Sequence, residues 1–370
     1  MKITRKATLI GLTAILLVMA LAFAIQAAEE DWDAIIAAAQ QEGSLTVYNP
    51  SSRMGIAAEL FEEKYGIKVE WSKMNDVEIS DRVAREHEAG VRGADVIITE
   101  DAAILMAQLL PQGYVVNYVP PTHKDVIPVE YQNPLVHQHQ PRIIGFNNEV
   151  YSEAPIKNLW DLTTPEWRGK FMMRDPQLTS TNLAWFAEII EHADLMAAEY
   201  ERHFGEPIEL TTPNAGWEFV KRLANNRPIM FSSDTDVSDA VGARGQTNPP
   251  IGLYVIGKHR EIEEKNLALE AAYGLEPTLG YLYPAFLVMT ANSHSPNAAK
   301  LFISFLLEEE GMSAWSGDMG NFSTNPTIPP HEDDPLGGTA AWAEVTFPLN
   351  AQTTIKYYAD LFDFWLLHAR

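Results

Sequence analysis

Residues 154–182 read APIKNLWDLTTPEWRGKFMMRDPQLTSTN and hold more local structural information than any other stretch of the chain. In the first half, Trp160 and Trp167 are apolar anchors on either side of a helix start. In the second half, residues 171–182, a short apolar strand leads through Thr179-Ser180-Thr181 into a helical pattern. Hydroxyl groups at a helix N-terminus supply O–H donors beside free backbone N–H groups and the positive end of the helix dipole. This half therefore predicts a place where a small polar or anionic ligand is held.

Strands and helices alternate on both sides of this segment, which predicts an α/β fold with mostly parallel sheets flanked by helices. Two extended stretches, residues 135–146 and 281–290, separate the α/β units. We therefore expect two lobes joined by two crossing strands, an architecture that closes on a ligand about a hinge. Ligands of such sheets bind at the carboxyl ends of the strands. The predicted strands fall at residues 43–48, 67–71, 94–98, 170–173, 228–231 and 251–256.

The same pattern gives a domain organisation. Residues 29–140 and 285–370 are predicted to form the first lobe with the C-terminal helices, and residues 141–284 the second lobe. The hinge is expected near residues 141–148 and 283–292. One helix is predicted over residues 295–310 and a closing helix over residues 354–367.

The N-terminus has the features of an export signal. Lys2, Arg5 and Lys6 precede an apolar run over residues 7–25, and the small residues Ala27 and Ala28 follow it. We interpret residues 1–28 as a cleaved signal peptide and expect a periplasmic protein. The alternative is a single membrane anchor, because the apolar run approaches the length of a bilayer span.

Composition excludes several functions. The 370 residues contain no cysteine, so neither a lipid-modified cysteine nor a disulfide framework is available. The formal net charge is −23, which argues against nucleic acid or an anionic membrane as a partner. No motif of a nucleotide-binding loop, a serine hydrolase or a zinc protease is present, so we expect no enzyme activity and no cofactor.

Several stretches of the chain are specific enough to suggest a family. They are Trp160-Asp161-Leu162-Thr163, Pro165-Glu166-Trp167-Arg168-Gly169-Lys170, Asp175-Pro176, Phe146-Asn147-Asn148 and Ser295-Pro296-Asn297-Ala298-Ala299-Lys300. Together they resemble the periplasmic solute-binding proteins of ABC importers, in particular the branch that contains the ferric-iron-binding proteins, and the resemblance covers the mature chain. It implies a monomer with two lobes that close like a clamp. Such a protein captures a small molecule and delivers it to the permease and ATPase subunits of an importer.

Members of this branch bind ferric iron or small organic anions, and the residues favour an anion. Iron binders present two neighbouring tyrosines late in the second lobe, whereas residues 251–259 contain only Tyr254. Ser51, Ser52 and Arg53 follow the first strand and lead into a helix. If they face Thr179-Ser180-Thr181 across the cleft, two helix starts and a guanidinium would clamp a phosphate or carboxylate. Simple capping of the two helices is the alternative.

Further candidates follow other strands. Glu100 ends the third strand, Ser233 and Asp234 follow a strand of the second lobe, and Asn214 precedes a helix. Acidic side chains beside hydroxyl groups suggest a ligand that has both an anionic group and donors, such as a sugar phosphate or a phosphonate. A ferric-iron binder and a binder of polyamines or another cation are the alternative functions.

His137 and His139 are candidate metal ligands. Two residues apart on a strand, they share one face, and their imidazoles suit zinc or nickel better than iron. The alternative is a pair of solvated side chains on the first crossing strand, and we predict no metal site.

Overall fold

The computed structural model describes residues 30–369, so the predicted signal peptide lies outside the described residues. A mixed α/β fold is observed, as the sequence predicts. No helix within residues 30–369 is long and apolar enough to cross a membrane. The strands are β1 Ser44–Asn49, β2 Lys68–Lys73, β3 Val96–Thr99, β4 Val115–Val116, β5 Val136–Phe146, β6 Phe171–Arg174, β7 Ile229–Phe231, β8 Ile251–Val255, β9 Glu270–Ala271, β10 Gly280–Thr290, β11 Phe322–Ser323 and β12 Phe347–Pro348.

One sheet runs through both lobes in the order β2-β1-β3-β10-β5-β8-β6-β7. Strands β1, β2 and β3 are parallel to one another, and so are β6, β7 and β8. The long strands β5 and β10 pair with each other in antiparallel orientation and join the two sets. Their two ends lie in different lobes, because β10 pairs with β3 near Phe286 and β5 pairs with β8 near Arg142. The two-lobed fold with two crossing strands is therefore confirmed.

The helices are α1 Trp32–Glu42, α2 Met54–Tyr65, α3 Asp76–Ala89, α4 Ala102–Ile104, α5 Ser180–Glu191, α6 Ala193–Phe204, α7 Ala215–Asn225, α8 Asp234–Gly242, α9 Ile262–Lys265, α10 Pro296–Leu306, α11 Glu309–Ser316, α12 Thr339–Val345 and α13 Ala351–His368. A π-helical turn, Leu105–Leu109, continues α4. The single helix predicted over residues 295–310 is wrong: it breaks at Leu307 and restarts as α11, because Glu308 has extended backbone angles. Helix α8, which the sequence pattern did not reveal, begins at the cleft.

The tryptophans of residues 154–182 are part of the scaffold. Trp160 is fully buried and Trp167 nearly so, and the Trp160 indole N–H donates to the Met196 carbonyl at 2.9 Å. They belong to the largest hydrophobic cluster of the described residues. Burying such large side chains excludes much apolar surface from water, which is the main force that stabilises the lobe.

The closing helix α13 packs in that same cluster. Trp365 is buried and stacks on Phe186 of α5 with ring centroids 5.0 Å apart. The sequence prediction had grouped residues 285–370 with the first lobe. Helix α13 contacts α5 and α7 of the second lobe and also α4 of the first lobe. Because the contacts with the second lobe are the more extensive, we propose instead that residues 339–368 belong with the second lobe.

Candidate ligand-binding cleft

A cleft of about 270 Å³ lies where the two parallel sets of strands meet the crossing strands. The carboxyl end of β3 pairs with the middle of β10, and the carboxyl end of β8 pairs with the middle of β5. The two sets thus end towards each other, so the loops that follow them surround one space. Its lining includes residues 49–53, 232–235 and parts of β5 and β10.

The first-lobe wall is the loop between β1 and α2. Asn49 Oδ1 accepts a hydrogen bond from the Ser51 amide at 2.8 Å, and Ser51 Oγ accepts one from the Arg53 amide at 3.2 Å. The Arg53 guanidinium donates to the Ala314 carbonyl at 2.8 Å and forms an ion pair with Asp318. These bonds fix the predicted group Ser51, Ser52 and Arg53 on the cleft surface, at the N-terminus of α2.

The second-lobe wall is the N-terminus of α8. Ser233 is the N-cap, and its hydroxyl accepts a hydrogen bond from the Asp236 amide at 3.2 Å. Ser232, Asp234 and Thr235 line the cleft beside it. The first N–H groups of a helix have no acceptor within the helix, so this end is suited to an anion. Two helix N-termini therefore border one cleft, but the second is α8 and not the helix that begins at Ser180.

Alternate residues of β5 form the base of the cleft. Gln138, Gln140 and Arg142 share one face of the strand and line the cleft, as the two-residue period of a strand requires. Gln140 Oε1 accepts a hydrogen bond from the Tyr283 hydroxyl at 3.2 Å. Arg142 is almost fully buried and donates to both Asp234 oxygens, at 3.0 and 2.9 Å, and to Thr181 Oγ1 at 2.7 Å.

Arg142 and Asp234 form an ion pair, and other protein groups already occupy most of the hydrogen-bonding positions of the two side chains. Burial disfavours the charge of Arg142, yet Asp234, Tyr281, Tyr283 and Glu100 together outweigh burial and hold the pKa of Arg142 above its ordinary value. Burial likewise opposes the charge of Asp234, and the guanidinium groups of Arg142 and Arg174 lower its pKa. Asp234 is thus a partner of arginines, which leaves little of its hydrogen-bonding capacity for a ligand.

Arg174, at the end of β6, has guanidinium N–H groups that no other described residue accepts. Its Nη1 lies 3.6 Å from Asp234 Oδ2, beyond hydrogen-bonding distance. Its Nε is buried and has no hydrogen-bond acceptor within residues 30–369. A guanidinium that lines a cleft with free N–H groups is well suited to bind a phosphate or carboxylate through two hydrogen bonds.

Glu100 faces these arginines. Its carboxyl group has no hydrogen-bond partner in the described part of the chain. Burial, followed by the nearby Asp76 carboxylate, raises the pKa of Glu100 to about 7, although Arg142 and Arg174 act in the opposite direction. At neutral pH this carboxyl group therefore exists in both the protonated and the ionised form.

Cationic side chains dominate the cleft although the chain as a whole is acidic. The cations that line it are Arg53, Lys73, Arg142, Arg174, Lys258 and Arg260, against the acids Glu100 and Asp234. Two more acids, Glu261 and Asp318, pair with these cations from behind the lining. Lys73 is exposed, and its ammonium group has no partner among residues 30–369. The local field thus favours a negatively charged ligand.

Some predicted residues lie away from this lining. Thr179, Ser180 and Thr181 are buried, and Thr181 lies behind Arg142 as an acceptor. Asn214 caps α7 by accepting from the Trp217 amide at 3.0 Å. Tyr254 is fully buried, with its hydroxyl 3.2 Å from His259 Nε2. The predicted residues that the structure brings together on the cleft are Ser51, Ser52, Arg53, Glu100, Ser233 and Asp234.

The histidine pair of β5 is packed in the first lobe. His137 and His139 are buried, so the solvated alternative is wrong. His137 Nε2 lies 3.0 Å from the Leu306 carbonyl, and the ring contacts Trp315 edge to face. Burial lowers the pKa of each histidine to about 4. Within residues 30–369 no three His, Asp or Glu side chains are grouped as metal ligands.

Sequence reasoning missed Gln138, Gln140, Arg142, Arg174 and Lys258, which all line the cleft. For the three residues of β5 a signal existed, since they recur at every second position of the strand, but His137 and His139 form a second polar series on the opposite face. Arg174 directly follows a predicted strand and precedes Asp175-Pro176, which is the position expected for a ligand-binding residue. The sequence prediction selects the hydroxyl residues that follow and does not include Arg174.

Comparison with solved structures agrees with the two-lobed fold. The structure is similar to iron-bound HitA from Pseudomonas aeruginosa, with 19% identity, a TM-score of 0.69 and coverage of 88% of this chain and 99% of that one. It is similar to AfuA from Actinobacillus pleuropneumoniae with exogenous fructose-6-phosphate bound, at 20% identity, TM-score 0.68 and coverage of 88% and 98%. Apo ferric ion-binding protein A from Pasteurella haemolytica has 17% identity, TM-score 0.65 and coverage of 87% and 96%. At these identities the likeness shows the fold.

Comparison with curated protein sequences gives no significant match. Residues 56–344, however, match the family model described as bacterial extracellular solute-binding protein. This match spans most of the chain and includes the second-lobe wall of the cleft and the crossing strands at its base. The chain therefore belongs to the bacterial extracellular solute-binding proteins.

Proposed function

We propose that this protein captures a small organic anion, such as a sugar phosphate or a phosphonate, in the cleft between its lobes. It then delivers the anion to the permease of an ABC importer, whose ATPase drives uptake. The observation that supports the proposal is the reversal of charge: a chain of net charge −23 surrounds its cleft with arginine and lysine. Because isolated like charges repel one another, such a cluster is most stable when an anion lies among them.

The chemistry of the cleft favours an anion over the alternatives. A polyamine would meet the cationic side chains at close range. Ferric iron prefers several anionic oxygen ligands. Among the described residues only one tyrosine, Tyr283, lines the cleft. A single phenol does not supply the several anionic oxygen ligands that ferric iron prefers.

Calorimetric titration of the ligand-free protein tests the proposal. The titrants are sugar phosphates, alkylphosphonates, inorganic phosphate, ferric citrate and spermidine, with thermal melting as a second measurement. A ligand that binds only the native state raises the melting temperature. At a free ligand concentration of a hundred times Kd, it adds about 2.7 kcal/mol to the free energy of unfolding. We expect heat and a melting shift with phosphorylated or phosphonate compounds. Binding of ferric citrate or spermidine alone would refute the proposal.

A variant of Arg174 locates the anion. Arg174→Gln removes the guanidinium but keeps a polar side chain, and we expect it to weaken anion binding about tenfold or more. Arg92→Gln is the matched control, because Arg92 is exposed and lies outside the cleft lining. Equal affinity of the two variants would show that the anion binds elsewhere.

Export to the periplasm is part of the proposal and rests on residues 1–28. Osmotic-shock release of the protein, followed by N-terminal sequencing, tests it. We expect a mature chain that begins near Glu29. A full-length chain that remains in the membrane fraction would support the anchor instead.

A further inference from the structure

Two buried amide side chains on the cleft surface have polar atoms without partners. Asn49 and Gln138 line the cleft, with 0% and 2% of their surfaces exposed. Asn49 Nδ2 and Gln138 Oε1 have no hydrogen-bond partner within residues 30–369. A buried polar atom without a partner is costly, so its presence in a binding cleft indicates that a ligand supplies the partner.

The orientation of Asn49 is fixed by the chain around it. Its Oδ1 accepts the hydrogen bond from the Ser51 amide, so the group left for the cleft is the N–H donor. Gln140 is oriented in a similar way, because its Oε1 accepts from the Tyr283 hydroxyl and its Nε2 is left over. These amides therefore offer neutral donors beside the charged ones.

Gln138 offers the cleft a hydrogen-bond acceptor, for which an anionic group has no donor. Its Oε1 is an acceptor, and a fully ionised phosphate has no hydrogen to donate. The Glu100 carboxylate, when ionised, is a second acceptor in the same cleft. A hydroxyl group both donates and accepts, so it can bond to an amide whichever of its two polar atoms faces the ligand.

We propose that Gln138 and Asn49 bind a neutral, hydroxyl-bearing part of the ligand, so that the cargo is a polyol or sugar phosphate rather than a simple phosphate or an alkylphosphonate. This inference rests on the proposed function and narrows it. The arginines hold the anionic group, and the amides select what is attached to it. Discrimination of this kind is strong, because a ligand without the hydroxyl leaves the buried amide unpaired.

Removing hydroxyl groups from the ligand tests the inference without any change to the protein. The probes are glycerol 3-phosphate, glucose 6-phosphate and fructose 6-phosphate against ethyl phosphate and inorganic phosphate, measured by calorimetric titration. We expect at least one hydroxylated probe to bind tenfold or more tightly than ethyl phosphate. Ethyl phosphate that binds as tightly as every hydroxylated probe would overturn the inference and leave the proposed function standing. Absence of binding by all of these phosphates would overturn the inference, and absence of binding by the alkylphosphonates as well would overturn the proposed function.

A glutamine variant then assigns the preference. Gln138→Met has a similar shape but no amide, and Gln112→Met, at an exposed position away from the cleft, is the control. We expect Gln138→Met to reduce the preference for the hydroxylated probe about tenfold and to change ethyl phosphate binding less than twofold. Melting curves verify that both variants are folded. An equal loss for both probes would mean that Gln138 only shapes the cleft and would overturn its assigned role.

Discussion

Arg142 and Asp234 form a two-point ion pair in which Nε donates to Oδ1 at 3.0 Å and Nη2 donates to Oδ2 at 2.9 Å. The pair ties the crossing strand β5 to the first residue of α8. Because β5 extends into both lobes, this bond sets the position of the second-lobe wall relative to the base of the cleft. It explains why an aspartate lies at a site that is otherwise cationic.

Asp234→Ala should therefore destabilise the protein strongly. It leaves the buried guanidinium of Arg142 without its main partner, and such losses cost about 3–5 kcal/mol. Urea unfolding followed by tryptophan fluorescence measures the change. The control is Asp236→Ala, because Asp236 is exposed on the same turn, and we expect it to cost less than about 1 kcal/mol. Similar losses for both variants would contradict the assignment.

Asp318 competes with the ligand for two of the cleft arginines. It pairs with Arg53 of the first lobe, and its Oδ2 lies 3.6 Å from Arg260 Nε, which follows β8. Burial and the charge of Arg260 lower the pKa of Arg53 to about 10, as expected for two guanidinium groups held close together. An anion that enters the cleft must share these donors with the carboxylate.

Asp318→Asn should consequently strengthen anion binding by roughly threefold to fivefold, the effect of removing one partly exposed ion pair. Titration with the best phosphorylated ligand measures it. Asp333→Asn is the control, since Asp333 is exposed and lies outside the cleft lining. Weaker binding by Asp318→Asn would show instead that Asp318 is needed to position Arg53.

Glu100 should make anion binding depend on pH. Its pKa is about 7 in the ligand-free protein, and a bound anion disfavours the carboxylate further and raises that pKa. Well below pH 7 the carboxyl group is protonated with or without ligand and has no effect on the affinity. As the pH rises above 7, Glu100 must either take up a proton when the anion binds or stay ionised and repel the anion. The affinity for the anion therefore falls. The charged or titratable groups that face it are Asp76, Arg142, Arg174, Asp234 and Tyr283.

The measurement is the ratio of the dissociation constants of the wild type and Glu100→Gln between pH 6 and 8.5. This ratio cancels the titration of the ligand and of other groups. We expect the affinity of the wild type to fall by up to about tenfold relative to that of the variant for each pH unit above 7. A ratio that stays constant would exclude Glu100 as the titrating group.

The fold could be predicted because each element has its own local signals. Helix α3, Asp76–Ala89, is an example of such local signals. The structure shows why those bounds are firm: Asn75 and Glu78 form a capping box at the start, and Gly90 ends the helix in a left-handed conformation. The alternation of strands and helices gave the two lobes in the same way, since hydrophobic periodicity is a local property.

The cleft was predicted only in part, because its composition depends on which face of a strand turns towards it. On β5 His137 and His139 are candidate ligands by sequence, but their face of the strand packs against Trp315 and the end of α10. The opposite face, with Gln138 and Gln140, forms the cleft. A strand has the same period on both faces, so only the packing of the helices decides between them.

Helix starts raised a similar ambiguity. Thr179-Ser180-Thr181 and Ser232-Ser233 have the same local pattern, hydroxyl residues before a helix. Only two residues separate the end of β7 from the N-terminus of α8, so α8 begins on the cleft, whereas five residues separate the end of β6 from the N-terminus of α5. Those residues take the chain behind Arg142, where Thr181 serves as a buried acceptor. Local sequence does not determine where such a loop leads.

A pair of tyrosine variants tests this distinction between cleft and scaffold. Tyr254, a predicted ligand residue, is packed so tightly that a Cβ added at Gly145 would lie 2.1 Å from its hydroxyl oxygen. It does not line the cleft, so Tyr254→Phe should leave anion affinity unchanged within about twofold and lower stability by about 1 kcal/mol, the value of one hydrogen bond.

Tyr283→Phe is the matched change on the cleft surface. It removes the O–H that orients Gln140, so the glutamine can turn its oxygen towards the ligand, and binding should weaken by about fivefold. Titration of both variants with the same phosphorylated ligand gives the comparison. If Tyr254→Phe weakened binding more than Tyr283→Phe, the ligand would have to contact the strand β8 beyond the cleft, and the arrangement of the site around β5 would need revision.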